Sequence, residues 1–150
     1  MSVDARLLVS DAQALTASAV ATDSIPLEVT GLDLALGEPL GFAVHVDVAA
    51  DFTSANETYQ FNIVSATNAD GTTGQVVLSE AIVAAADLTA GKRFFLGIPV
   101  SRIPATATHL TLAYVLGGTT PTVTVTGYLT PQQSFDDGSN VIRSGFSVAN

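Results

Sequence analysis

The chain has 150 residues and no cysteine, with 47% apolar and only 13% charged side chains and a net charge of -9. That length supports one domain with a sizeable core, and the absence of cysteine rules out both a disulfide framework and a thiolate site. Acids crowd the first ninety residues, which carry twelve acids against Arg6 alone, while Lys92, Arg93, Arg102 and Arg143 outnumber Asp136 and Asp137 in the rest. No basic cluster offers an electrostatic footprint for a phosphate backbone, so nucleic acid is not an expected partner. No apolar run approaches the roughly 20 residues of a membrane helix, and the N-terminus lacks a signal-peptide pattern, so the expectation is synthesis in the cytoplasm with no membrane partner.

In chain order, "ARLLVSDAQALTASAVA" has some helical spacing (Leu7, Leu8, Asp11, Leu15), but its Thr and Ser content and Val20 argue against a long helix. Residues 1–16 are expected as an arm, with "LLVS" at 7–10 a short extended piece. Residues 17–29 read as one or two strands bent at Pro26, which cannot donate to a central ladder. "LDLAL" at 32–36 alternates. "LGFAVHVDV" at 40–48 is the clearest core strand, with Leu40, Phe42, Val44, Val46 and Val48 on one face. Strands follow at 59–66 (Tyr59, Phe61 and Ile63 inward), 75–83 and 93–100. In "THLTLAYVLGGTTPTVTVTGYLTP" (108–131), two period-two runs flank Gly117-Gly118 and predict a β-hairpin with one wet face. Residues 131–150 lose the alternation and are expected as a tail. Eight to nine short strands with Gly/Pro turns predict a single all-β domain over 1–150, an antiparallel β-sandwich that fits a jelly roll of about eight strands.

Chemistry is sparse. His45 and Asp47 share one face of a strand, a pair able to ligate a metal or orient a base, but no further ligands stand at a recognisable spacing. Their expected place is the polar side opposite the apolar row, and His109 offers less still. "DFTSANE" (51–57) and "NADGTTG" (68–74) fall short of a calcium-loop template and read as turns. No nucleophile elbow, Walker loop or H-E-x-x-H is present, so neither an enzyme nor a cofactor is expected.

The order of short motifs resembles tailed-phage capsid cement (decoration) proteins. Asp11-Ala12-Gln13 precedes a Thr/Ala/Ser stretch and then the family's "S-x-x-I-x-L" strand, here Ser24 to Leu27 in the form "DSIPL". "GEPLGFAVHVDV" and "HLTLAYVLGGTTPTVTVTGYLT" then match the family's later strands, and the resemblance covers essentially the whole chain. Thr111 stands where the family usually carries Arg, which changes one expected surface contact. The resemblance implies a jelly-roll protein on the outside of an icosahedral capsid, without an active site. Its expected partners are the major capsid protein and itself, as a homodimer in preference to a homotrimer. Contacts are expected from a flat, uncharged sheet face and from Arg6, Leu7, Leu8, Arg102, Phe135, Arg143 and Phe146, with the sandwich still folding when residues 1–12 are removed. The alternative is a carbohydrate- or receptor-binding jelly roll of a tail or fibre, which requires exposed aromatics grouped together.

Overall fold

The computed structural model describes residues 7–27, 39–51, 53–132 and Phe135. Nine strands form: β1 (Leu8–Leu15), β2 (Ala19–Val20), β3 (Ile25–Pro26), β4 (Leu40–Val48), β5 (Thr58–Ala66), β6 (Val76–Val83), β7 (Arg93–Gly97), β8 (His109–Gly117) and β9 (Val123–Pro131). One sheet has the order β1-β9-β4-β7. The other has β2-β8-β5-β6, with β3 also on the edge of β8. All pairs are antiparallel: β4 with β9 and β5 with β8 inside the sheets, and β1 with β9, β2 and β3 with β8, β4 with β7 and β5 with β6 along the chain. First thus pairs with last and the pairing works inward to β5·β6, a long ribbon folded over itself. That is the jelly-roll order.

This order corrects the expected hairpin. β8 and β9 lie in opposite sheets and do not pair with each other. Leu110, Leu112 and Tyr114 point into the core from one side, and Val123, Val125 and Leu129 meet them from the other. Two alternating strands bury their apolar rows equally well side by side or face to face, so periodicity alone does not separate the two arrangements. The connection decides it. Residues 118–122 are tied to the β4–β5 loop: Asp51 N donates to Thr122 O (2.9 Å), and Asn56 Nδ2 to Thr119 Oγ1 (2.9 Å). Gly118 has φ +101°, and a Cβ there would lie 2.5 Å from Asn56 O.

The N-terminal segment is the second correction. Leu8–Leu15 is a strand of the sheet rather than an arm, with Val9 and Ser10 fully buried. Removing residues 1–12 would take out more than half of an integral strand. The register slips between Ser10 and Gln13, and Ala12 takes φ +45° while its amide donates to Thr126 Oγ1 (3.0 Å). This bulge aims Gln13 across the gap between the sheets. Gln13 Nε2 donates to Val20 O (3.0 Å), and its Oε1 accepts from Thr22 N (3.2 Å) and Ser10 Oγ (2.7 Å). Since Ser10 spends its only proton on Gln13, the 2.7 Å contact between Ser10 Oγ and Tyr114 OH has the tyrosine as donor. The Asp-Ala-Gln motif is therefore a weld between the two sheets.

The core is aliphatic around a small aromatic group. Phe61 of β5 meets Phe94 of β7 edge-on at 4.9 Å and Tyr114 at 5.8 Å, joining the sheets again. The inward row of β4 holds for Phe42, Val44 and Val46, but a register shift before Val48 turns that residue out to 59% exposure. The strand expected at 93–100 stops at Gly97, ahead of Pro99 and a 3-10 turn at Val100–Arg102. The strand expected at 32–36 and most of the tail, from residue 136 on, lie outside the described residues.

Two outcomes follow. Gln13→Ala removes several hydrogen bonds at once, two of them part-buried, and should lower stability by about 1–3 kcal/mol, read by urea denaturation. Burial raises the pKa of the Tyr114 phenol, and desolvation does the same to Tyr59. Folding therefore favours the neutral phenols, so stability should hold below the free-tyrosine pKa of about 10 and fall as pH rises above it. Melting curves for Tyr114→Phe should show a weaker alkaline loss than wild type.

Candidate docking faces

The core lies between the two sheets, and each sheet turns its other face outward. Cross-strand partners share a face, so register alone assembles them. On the β1-β9-β4-β7 sheet, Leu8 opposes Tyr128, Tyr128 opposes Ala43, and Ala43 opposes Phe95, giving an apolar row across all four strands. Phe135 packs on Phe95 with ring centroids 5.5 Å apart. Gly41 makes room for this cover, since a Cβ there would lie 2.4 Å from Phe95 Cζ and 2.2 Å from Leu96 O. Leu8, Phe95 and Phe135 are half-buried, while Ala43 and Tyr128 are buried.

The next row is polar: Thr126, His45 and Arg93. His45 Nδ1 lies 3.1 Å from Asp47 Oδ1, and Thr126 Oγ1 donates to Asp47 Oδ2 (2.7 Å). Thr126 also accepts from Ala12 N, so the row is tied to the β1 bulge. His45 and Asp47 thus lie on the outer face opposite Phe42, Val44 and Val46, where the strand pattern places them. No three His, Asp or Glu side chains converge as a metal-binding group among the described residues. His109 sits at the start of β8 with Nδ1 2.8 Å from Thr108 Oγ1.

The outer face of the other sheet is half covered. The 67–75 loop folds back over it, and a Cβ on Gly71 would lie 2.8 Å from Thr111 Cγ2 and 3.0 Å from Val20 Cγ1. Asp70 Oδ1 accepts from both Thr72 N (2.8 Å) and Thr72 Oγ1 (2.7 Å), which hold its carboxyl below the usual range. Its reading as a turn holds. Thr111 is fully buried here and donates to Asp23 O (2.7 Å), so it makes no surface contact of the kind the Arg-to-Thr departure suggested. The uncovered half shows Val115, Gln60 and Ile82 in one row, with Val115 44% and Ile82 75% exposed.

The expected contact residues divide accordingly. Leu8 and Phe135, from opposite ends of the chain, share one face, Leu8 on the β1 edge and Phe135 against Phe95 of β7. Leu7 is half-buried against the core. Arg102 lies elsewhere, at the edge of the second sheet, where its Nη1 donates to Leu78 O (3.0 Å) and occupies a carbonyl of β6. Arg6, Arg143 and Phe146 lie outside the described residues. Tyr128 and Phe95 were missed: Tyr128 falls on the polar side of an alternating run, and only the register with β1 and β4 places it in an apolar row. No aromatic side chain is exposed among the described residues, because the six exposed large apolar residues are all Val or Ile.

Gly41→Ala tests the apolar row. The added methyl must displace Phe95 or the β7 backbone, so a loss of about 1–3 kcal/mol is expected in a thermal or denaturant melt. No curated protein matches the chain. A family model, Bbp16, matches residues 9–129, from the buried start of β1 to the core end of β9. The chain belongs to the Bbp16 family, a phage-associated family.

Proposed function

We propose that this is a structural virion protein that binds the outside of an icosahedral phage capsid and cements neighbouring major capsid proteins. The observation that carries the reading is the match to a phage-associated family over nearly the whole sandwich. Two features of the fold support it. The two sheets are joined by both packing and the buried Tyr114–Ser10 contact, and one outer face carries an apolar row next to a polar one. A packed sandwich with a mixed, nearly neutral face suits docking on a repeated lattice. A ligand that binds only the mature lattice stabilises that state by mass action, so many modest contacts sum to resistance against internal DNA pressure.

In this reading the face built from Leu8, Phe95, Phe135, His45 and Arg93 meets the shell, and the acidic remainder keeps particles apart. Self-association as a dimer on two-fold axes is part of the proposal, with the major capsid protein as the other partner. It requires no catalytic step and no cofactor. The tail or fibre alternative gains no support, since the aromatic platforms that it needs are absent from the exposed surface among the described residues.

The test is the copy number of this protein in purified virions of its phage, relative to the major capsid protein. A fixed, lattice-set ratio is the expected result. A handful of copies per particle would move the protein to the tail, and none would overturn the virion role.

A further inference from the structure

The 67–75 loop holds the one Asp–Gly pair among the described residues, Asp70–Gly71, and no Asn–Gly pair occurs in the chain. The loop cannot do without this glycine. Gly71 takes φ +73°, and a Cβ on it would lie 2.8 Å from Thr111 Cγ2 and 3.0 Å from Val20 Cγ1, where the loop presses on the second sheet. The same bareness leaves the Gly71 nitrogen unhindered by a side chain of its own, next to the carboxyl of Asp70. An aspartate so placed is open to attack from within the chain. The Gly71 nitrogen bonds to Asp70 Cγ and gives up its proton, the carboxyl hydroxyl departs, and the two leave as water, closing a succinimide ring. Water added back at Cγ restores aspartate. Added at the main-chain carbonyl of Asp70, it leaves Gly71 joined through Cγ, an isoaspartyl linkage.

The closed loop withholds both reacting groups. Ring closure consumes a neutral carboxyl, yet Asp70 Oδ1 accepts from Thr72 N (2.8 Å) and Thr72 Oγ1 (2.7 Å), bonds that favour the ionised form. They also tie the carboxyl to residue 72 instead of leaving it free to present Cγ to the Gly71 nitrogen. The Gly71 N–H is itself engaged, donating to Asn68 O (3.2 Å). Around them the turn is cross-tied. Thr73 N donates to Asn68 Oδ1 (3.1 Å), Asn68 Nδ2 to Thr73 Oγ1 (3.0 Å) and Thr67 N to Thr73 O (2.9 Å). Gln75 Nε2 holds Gly71 O (2.8 Å), and Ser24 Oγ fastens the loop to the body through Ala69 O (2.7 Å).

We propose that Asp70–Gly71 is a covalent modification site gated by the fold, protected while the 67–75 loop is closed and converted to isoaspartate when the loop opens. The product does not fit the closed loop. It carries the side-chain methylene in the main chain and frees an α-carboxylate beside Gly71, which must lie against Thr111 and Val20. Isomerisation therefore strips the loop from the half of the outer sheet face that it covers.

The experiment incubates the full chain at neutral pH, native and in urea, and then cuts it with endoproteinase Glu-C. Cleavage after Glu57 and Glu80 frees residues 58–80, in which Asp70 is the only aspartate. Isoaspartate in that peptide is separated by chromatography and located by electron-transfer fragmentation. Native wild type should form it about tenfold or more slowly than the unfolded chain, because the reaction waits on local opening. Thr72→Val keeps the shape of an exposed side chain but removes one of the two bonds to the carboxylate. It should raise the native rate several-fold and leave the unfolded rate unchanged. If that variant does not fold, Asn68→Ala, which frees Thr73 N, carries the comparison. Equal rates in native and unfolded wild type overturn the gate, as does a folded variant that isomerises no faster than native wild type. An unfolded chain that forms no isoaspartate overturns the site.

Discussion

The fold depends on a hydrogen-bond chain that crosses from one sheet to the other, from the buried Tyr114–Ser10 contact through half-buried Gln13 to the Val20 carbonyl. Apolar packing alone would tolerate small slips between two facing sheets. A phenol that must meet a hydroxyl inside the core does not, because a missed bond there leaves a desolvated polar group. Gly127 is part of the same constraint: a Cβ on it would lie 2.7 Å from Leu112 Cδ1 and 3.2 Å from Tyr114 OH, so the bare backbone of β9 lets the tyrosine reach across. The bulge at Ala12 then delivers Gln13 to the segment that leads into the second sheet. One chain of contacts thus sets the distance, register and order of the first, second and last parts of the ribbon.

That dependence explains what could be read from residues and what could not. Period-two alternation identified β4, β5, β6, β7, β8 and β9 because each has one row in the core, and the strand count led to the jelly roll. The hairpin reading of 108–131 conflicted with that same jelly roll, in which the last two strands belong to opposite sheets. The conflict was legible, but Gly117-Gly118 is a strong local signal and the force that overrides it is tertiary. Asn56 and Asp51 are more than sixty residues away in sequence from the loop they pin. The Asp-Ala-Gln motif was visible as a motif only. Its work depends on a left-handed Ala12, and nothing in the three letters announces that conformation.

The proposed docking face shows the same division. Leu8 and Phe135 were singled out for being apolar residues near the ends of the chain; the register of β1, β9, β4 and β7 puts Leu8 in one row with Phe95, on which Phe135 packs. Arg102 was singled out for its charge, yet its guanidinium sits on the edge of β6. An eight-residue edge strand rich in Val and Ile invites pairing with other chains, and a cation bonded to one of its carbonyls, at the irregularity near Leu78, is a recognised means of blunting it. The other edges are guarded differently: β2 and β3 by shortness and Pro26, β7 by its five-residue length and the adjoining Lys92 and Arg93.

Charge, finally, contributes little to holding this protein together. The one ion pair between described residues is a partly exposed His–Asp contact, worth at most about 1 kcal/mol even with His45 protonated. Stability rests on ladders, apolar burial and neutral hydrogen bonds, which salt screens weakly. The acids of the first ninety residues can therefore set the long-range field of the molecule with little ion pairing among the described residues. On the proposed reading, a protein displayed in many copies on a closed surface gains from that separation. Repulsion between particles can be strong while each copy stays folded across a wide range of ionic strength, and the proposed docking face, carrying apolar and neutral groups with few charges, need not oppose it.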